Sequence, residues 1–242
     1  MFETTTRDVC AHIRDNHGLL ADIERRALIW TARRMPAGIN ADHLTALGLA
    51  AMLGSGLSFA AIAVTPWAAW GVALSLALNW FGDSLDGTLA RVRGHQRPRY
   101  GYYVDHVVDL AGATFLMGGL AASGLMSPLV AAAVLAAYLL VSAETYLATH
   151  ARGIFRMSVL GMGPTELRVL LAIGALKAAH NPLVSIGDLG MIRIFDVGGV
   201  IAAASLGLIF AFSAVRNANA LHAAEPLPAR VAPRSATCTG SA

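Results

Sequence analysis

Long apolar segments that follow one another with only short polar breaks decide what this chain can fold into. Of its 242 residues, 56% are hydrophobic and only 14% are charged, whereas about 25% of a soluble domain is charged. A helix needs roughly 20 apolar residues to cross a bilayer. The pattern therefore predicts an all-α integral membrane protein with six transmembrane helices, at about 44–64, 67–82, 102–122, 129–147, 167–179 and 197–215.

The segment before the first apolar run, residues 19–35, has an amphipathic helical pattern. Apolar residues recur at helical spacing on one side, and arginines occupy mostly the other. With Trp30 among the apolar residues, this pattern is typical of an interfacial helix in the headgroup layer; the alternative is a surface helix packed on protein. We therefore expect a polar N-terminus with an interfacial helix at 1–42, a six-helix membrane domain at 43–216 and a disordered tail at 217–242.

The basic residues lie mostly on one side of the predicted membrane domain. Six spans place both termini and two loops on the same side, together with sixteen of the eighteen Lys and Arg residues; Lys177 and Arg193 lie on the other. The positive-inside rule then makes both termini cytoplasmic, and we expect a bacterial-type inner membrane. The net charge of +3 does not indicate a nucleic-acid partner, because no basic stripe alternates with aromatic residues.

Four aspartates stand at the facing ends of the second and third apolar segments. Asp83 and Asp86 are three residues apart, and Asp105 and Asp109 are four apart, so each pair shares one face of a helix. Four carboxylates held together would repel strongly without cations, and hard oxygen ligands suit Mg²⁺ or Mn²⁺. Two such ions could clamp a pyrophosphate, so we predict a metal site here, on the cytoplasmic side.

Two alternatives compete with a metal site. Solvated helix ends that balance the arginine-rich loop would need only one or two acids, whereas Asp109 lies a full turn inside an apolar segment. A membrane transporter or scaffold would more naturally place its acids near the bilayer midplane, at broken helices. Acids at helix ends beside an arginine loop favour an enzyme.

The residues that follow the first acid pair suit a phosphate ligand. Gly87 lets a phosphate or ribose approach the backbone, and Ala90 keeps the same face shallow. Arg91 supplies a guanidinium for phosphate oxygens. A phosphate site next to the predicted metal ions follows from these three residues.

The spacing of these residues resembles the signature of the CDP-alcohol phosphotransferases, which are six-span membrane enzymes of phospholipid synthesis. The matching residues are Asp83, Asp86, Gly87, Ala90, Arg91, Gly101, Asp105 and Asp109. The nine-residue loop at 92–100 is one residue longer than is usual in the family. Asp42 replaces the usual Asn in a second, weaker match that ends at Thr45.

The resemblance implies a role for each matching residue. Asp83, Asp86 and Asp105 would ligate two Mg²⁺ or Mn²⁺ ions, and Asp109 would add to the ligand set or act as general base on the acceptor hydroxyl. The nucleotide site would be formed by Asp83, Asp86, Gly87, Ala90, Arg91, Gly101 and Thr45. The alcohol oxygen would attack the phosphorus distal to cytidine and release CMP.

The resemblance leaves the donor open between two sets of family members. One set uses CDP-diacylglycerol and a polar alcohol, and we favour it; the other transfers from CDP-choline or CDP-ethanolamine to diacylglycerol or another lipid alcohol. His106 completes an Asp-His-x-x-Asp pattern similar to that of the second set, in which it would act as a base near neutral pH. The alternative is a helix-end histidine that faces solvent or headgroups.

Charged residues around the start of the fifth segment resemble the acceptor-facing region of several relatives. A cationic patch there could bind a phosphorylated acceptor or an anionic headgroup, although positive-inside anchoring explains Arg152 and Arg156 equally well. The candidates are Arg152, Arg156, Glu166 and Arg168. The expected partners are a CDP-linked donor, an alcohol or lipid acceptor, membrane lipids and, by resemblance, a second copy in a homodimer.

Overall fold

The computed structural model describes residues 21–152, 164–185, 187 and 190–225. Seven α-helices and a short β-hairpin follow one another in this part of the chain. They are α1 (Ala21–Arg34), α2 (Ala41–Ile62), α3 (Ala68–Val92), α4 (Pro98–Ala122), α5 (Pro128–Arg152), α6 (Pro164–Ala178), β1 (Leu183–Ser185), β2 (Met191–Arg193) and α7 (Ile194–Ala224). The six apolar segments of the sequence correspond to α2 to α7 in order, and α1 lies in the predicted amphipathic segment.

Four helices in the described residues, α2, α4, α5 and α7, are long and apolar enough to cross a membrane. Helices satisfy their own backbone hydrogen bonds and can therefore span a bilayer, which supports the predicted integral membrane protein. α3 is equally long but carries Asp83, Asp86 and Arg91 towards its end, and α6 has only 15 residues. The count of six spans, the cytoplasmic termini and the interfacial position of α1 stay predictions.

Glycines set how closely α2 packs against its two neighbours. A side chain on Gly119 of α4 would overlap the backbone of Gly56 in α2, and a Cβ on Gly82 of α3 would lie 2.6 Å from the Leu44 carbonyl oxygen. Small residues at such crossings let helix backbones approach closely in lipid. The crossing at Gly82 directly precedes Asp83, so it brings the first acid pair against the start of α2.

The larger of two buried apolar clusters lies towards the other end of the helices. Phe59 of α2, Val72 of α3 and Leu120 of α4 are fully buried there. Phe195 of α7 packs edge to face against Phe59, with ring centroids 5.7 Å apart, a favoured aromatic geometry. Packing at this end ties α7 to the first helices of the bundle.

Polar contacts hold the end of the bundle that carries the aspartates. Asn40 caps α2, where its side-chain oxygen accepts a hydrogen bond from the His43 backbone N–H at 3.0 Å. Arg93, just after α3, donates from Nη2 to the carbonyl oxygens of Met35 and Pro36, both at 2.9 Å. These contacts tie the α3–α4 loop to the connection between α1 and α2.

The β-hairpin is the first departure from the sequence prediction. β1 and β2 pair antiparallel, with Leu183 opposite Arg193, so the expectation of an all-α chain is wrong for this segment. Gly187 and Gly190 have φ angles of +44° and +77°, a backbone conformation that favours glycine. The hairpin connects α6 to α7.

The second departure concerns the end of the chain. α7 continues to Ala224, past the predicted start of the tail at 217. The remaining tail residues from 226 to 242, and the acceptor candidate Arg156, lie outside the described residues. The division into three regions stays a prediction.

Candidate active site

Both acid pairs lie at one end of the helices, where α3 ends and α4 begins. The Asp86 carboxylate accepts a hydrogen bond from Thr45 Oγ1 of α2 at 2.7 Å and another from the Gly87 backbone N–H. Only 7% of Asp86 is exposed. A buried carboxylate is costly unless donors or cations compensate its charge, so Asp86 is the member of the set that most needs a partner.

Asp83 lies at the surface of the same helix, where it contacts a residue of α6. Arg168 Nη2 is 2.6 Å from Asp83 Oδ2, and the arginine side chain is only 17% exposed. This ion pair joins a predicted metal ligand to a predicted acceptor residue. The sequence indicated both residues, but nothing in their spacing predicted that they meet.

The aspartates act on one another and on α5. Asp105 of α4 and Asp83 both repel the buried Asp86 carboxylate electrostatically. Asp109, one turn further along α4, interacts electrostatically with Tyr138 of α5. Asp83, Asp86 and Asp105 therefore interact where α3 ends and α4 begins, and a cation there would relieve their repulsion.

The carboxylates at the acid end are ligands of the kind that a divalent metal ion needs. Among the described residues, no three acidic, histidine or cysteine side chains are close enough to form a ready coordination shell. The four carboxylates nevertheless offer hard oxygen ligands, which Mg²⁺ and Mn²⁺ prefer. Because the buried Asp86 is repelled by two further acids, the chemistry of the site fits such an ion.

The predicted nucleotide contacts lie at this end as well. Arg91 folds back along α3, where its Nη2 donates to Thr88 Oγ1 at 3.1 Å, and a Cβ on Gly87 would lie 3.5 Å from its Nη1. Around Gly101, a Cβ would meet no described atom within 4 Å. Ala90 lines a cleft of about 410 Å³ between the start of α2 and the α3–α4 loop, a volume typical of small-ligand sites.

Two unusual features of the sequence meet beside this cleft. Arg97 lies in the α3–α4 loop, within the spacing that is one residue longer than usual. Its Nη2 is 2.6 Å from both carboxylate oxygens of Asp42, the residue that replaces the usual Asn. The hydrogen bond that Arg97 donates to the Asp42 carboxylate raises the pKa of Arg97 above its ordinary value. Arg97 also stacks on Tyr100, 4.1 Å from the ring centroid. Both side chains of the pair of Asp42 and Arg97 are exposed, so the ion pair contributes little to stability.

His106 packs into an aromatic group between α4 and α5. Its Nδ1 lies 2.5 Å from the Tyr102 carbonyl oxygen, which can only accept, so Nδ1 carries the proton. The ring centroid is 4.1 Å from that of Tyr102 and 4.9 Å from that of Tyr146. These contacts describe a half-buried histidine rather than one that faces solvent.

The remaining acceptor candidates are spread over two places. Glu166 is exposed on α6, whereas Arg152 at the end of α5 donates a hydrogen bond to Asn217 of α7. Asn217 in turn donates to Glu144 of α5 at 2.6 Å. Sequence reasoning missed this network, although Glu144, an acid inside an apolar segment, was the signal that could have revealed it.

The sequence model of the CDP-alcohol phosphatidyltransferase family matches residues 39–214. No curated protein sequence matches the chain significantly. Among solved structures, the fold is similar to the crystal structure of Mycobacterium tuberculosis phosphatidylinositol phosphate synthase (PgsA1) with CDP-DAG bound, at 18% identity and a TM-score of 0.51. The match covers 81% of this chain and 92% of that one.

Proposed function

The chain belongs to the CDP-alcohol phosphatidyltransferase family, and we propose that it transfers a phosphatidyl group from CDP-diacylglycerol to a polar alcohol. Membership makes it a membrane transferase of phosphate-containing groups in phospholipid synthesis. The alcohol oxygen would attack the phosphorus distal to cytidine, the bond to the CMP oxygen would break, and CMP would leave. The CDP-DAG bound to the mycobacterial synthase supports this choice of donor.

The observation that carries the proposal is the meeting of α2, α3 and α6 around the first acid pair. Thr45 holds the buried Asp86, and Arg168 reaches Asp83. A site with acids for a metal-bound pyrophosphate and an arginine for a second anionic group suits a reaction between two phosphorylated molecules. Of the acceptor candidates in the described part of the chain, Arg168 contacts the acids.

We assign the predicted roles as follows. Asp83, Asp86, Asp105 and Asp109 would hold Mg²⁺ or Mn²⁺, and the bound ions would neutralise charge on the pyrophosphate and on the departing CMP. Asp109 would take the proton of the acceptor hydroxyl. The nucleotide would be bound by Gly87, Ala90, Arg91, Gly101 and Thr45, and the acceptor by Arg152, Arg156, Glu166 and Arg168.

The packing of His106 bears on the alternative donor. Because Nδ1 donates to the Tyr102 carbonyl and the ring packs against Tyr102 and Tyr146, the residue has a structural role that needs no proton transfer. A base at this position would have to act through Nε2. The alternative, transfer from CDP-choline or CDP-ethanolamine to a lipid alcohol, therefore rests on the resemblance of the motif.

We also propose six spans, an active site on the cytoplasmic side and an interfacial α1. The alternation of basic loops supports the topology. In α1, Trp30 is 58% exposed, and the Arg34 guanidinium lies 3.9 Å from its ring centroid, an arrangement suited to the headgroup layer. A homodimer is proposed from the family resemblance.

A panel of CMP-release assays tests the proposed reaction. One arm combines CDP-diacylglycerol with glycerol phosphate, inositol phosphate or serine; the other combines CDP-choline or CDP-ethanolamine with diacylglycerol. We expect CMP in the first arm, in the presence of Mg²⁺ or Mn²⁺, and its loss when EDTA is added. CMP only in the second arm would overturn the assigned donor, and no CMP in either arm would overturn the proposed function.

A further inference from the structure

A polar network joins α5 and α7, two helices that are mostly apolar. The Glu144 carboxylate of α5 accepts a hydrogen bond from Ser213 Oγ at 2.8 Å and from Asn217 Nδ2 at 2.6 Å. Ser213 and Asn217 are four residues apart and share one face of α7. Asn217 is only 8% exposed, so the network forms part of the helix interface.

The hydrogen bonds in this network have a fixed direction that ends at Arg152. A carboxylate only accepts and a guanidinium only donates, so the Asn217 amide can satisfy both neighbours in one orientation. Its Nδ2 faces Glu144, and its Oδ1 accepts from Arg152 Nη1. Glu144 thus selects the orientation of the amide, and the amide oxygen holds one edge of the guanidinium.

The network is too tightly packed to be a ligand site itself. The space between Glu144, Arg152, Asn217 and their neighbours measures about 20 Å³, which is room for about one water molecule. An acid within an apolar helix is costly and usually marks a functional position. The function of Glu144 must then be sought in what it does to the side chains that it orients.

We propose that Glu144 and Asn217 are positioning residues that hold the Arg152 guanidinium for the anionic group of the acceptor. The inference rests on the proposed function, in which Arg152 belongs to the acceptor site. An arginine that is already held loses less side-chain freedom on binding. A guanidinium has five N–H donors in a planar fork, more than the hydrogen bond from Arg152 to Asn217 uses.

The competing explanation is a clamp that only holds α5 against α7. Interhelical hydrogen bonds of this kind stabilise membrane helices modestly. A clamp would change the unfolding temperature of the protein without a selective effect on one substrate. The Michaelis constant for the acceptor therefore distinguishes the two explanations. It rises in the variants if the residues position Arg152 and does not rise selectively if they only hold the helices together.

The test uses the full-length protein in detergent with CDP-diacylglycerol as donor, and glycerol phosphate and inositol phosphate as acceptors assayed in parallel. The variants are Glu144→Gln, Asn217→Leu and Arg152→Ala, and each of the first two combined with Arg152→Ala. Thr114→Val is the matched control, because Thr114 is an exposed hydroxyl on α4 that donates within its own helix to Leu110. Thermal unfolding of every variant is measured alongside kinetics.

We expect Glu144→Gln and Asn217→Leu to raise the acceptor KM about tenfold, as the loss of one charge-assisted contact would. The donor KM should change less than about twofold, and the control should resemble the wild type. Arg152→Ala should raise the acceptor KM at least as much. In the Arg152→Ala background, neither further substitution should add to the effect, because both act through Arg152.

Each of the other outcomes overturns the proposal, and each shows which of its claims is wrong. If Arg152→Ala raises the acceptor KM but the other variants do not, or if their effects add fully to it, Glu144 and Asn217 do not act through Arg152. An unchanged acceptor KM in Arg152→Ala removes Arg152 from the acceptor site while the transfer reaction stands. A wild-type protein that releases no CMP overturns the proposed function and, with it, this inference.

Discussion

The acid end of α3 and α4 and the polar network between α5 and α7 both place carboxylates in apolar helices, but they satisfy them differently. Glu144 receives two hydrogen bonds from α7 and lies in a network that contains Arg152. Asp86 receives one from Thr45 and one from the adjacent backbone, and it is repelled by Asp83 and Asp105.

This difference separates a carboxylate that orients other side chains from carboxylates suited to a ligand. Neutral donors compensate Glu144 within the protein. At the acid end, the like charges repel one another, and a bound cation would reduce this repulsion. The environment of an acid, more than its presence in an apolar segment, therefore indicates its function.

The largest effect on activity is expected from removing a charge at the acid end. We expect Asp105→Asn or Asp109→Asn to lower CMP release by about 10³-fold, because metal ligation or proton transfer is lost. Asp196→Asn is the control: Asp196 lies at the start of α7, where it accepts from the Ser127 backbone N–H, and asparagine keeps an acceptor oxygen. Wild-type turnover in both acid variants would refute the assigned mechanism.

Packing at the α2–α4 crossing is the next most sensitive feature, because it holds the helices on which the acids stand. Gly119→Ala should destabilise the protein by about 3 kcal/mol, since the added Cβ would overlap the Gly56 backbone. Gly118→Ala is a matched control, because a Cβ there meets no described atom within 4 Å. Thermal unfolding in detergent measures both, and equal melting temperatures would contradict the close crossing.

Thr45→Val sharpens the comparison by removing the hydrogen bond from α2 to Asp86 while keeping the shape of the side chain. A buried charged acceptor that loses its partner costs about 1–3 kcal/mol. We expect kcat/KM for CDP-diacylglycerol to fall roughly tenfold, together with a fall of several degrees in melting temperature. If kcat/KM is unchanged, the hydroxyl does not support the metal and nucleotide site.

The smallest effect is expected at the surface pair of Asp42 and Arg97. Both side chains are exposed, and exposed ion pairs contribute little. Asp42→Asn, which restores the residue usual in the family, should therefore change CMP release by less than about twofold. A larger loss, measured with the donor below its KM, would show that the pair orders the cleft beside Ala90.

The sequence predicted the helices and the acid end because both depend on local patterns. Apolar runs located α2 to α7, and the spacing of Asp83, Asp86, Asp105 and Asp109 put each pair on one helical face. The same residues carried the resemblance that the family match over residues 39–214 confirmed. The roles of the individual site residues stay predictions.

The hairpin and the length of α7 were missed because local sequence patterns indicate neither. Three-residue strands are too short to show alternation, and the glycines that reverse the chain read equally well as loop residues. Beyond Val215, α7 continues through Asn217 and Asn219 to Ala224. Their low helix propensity is overridden here by the contacts of α7 with α5, among them Asn217 with Glu144.

By itself, the sequence determined the membrane class, the helices, the acid pairs and the family. Only the tertiary structure decided which of these residues meet: Arg168 with Asp83, Thr45 with Asp86, Arg97 with Asp42, and Glu144 with Asn217. Each contact joins different helices or a loop and a helix, so it depends on how they are rotated and crossed. Those angles are set by close packing at residues such as Gly56 and Gly119, which no helical periodicity reveals.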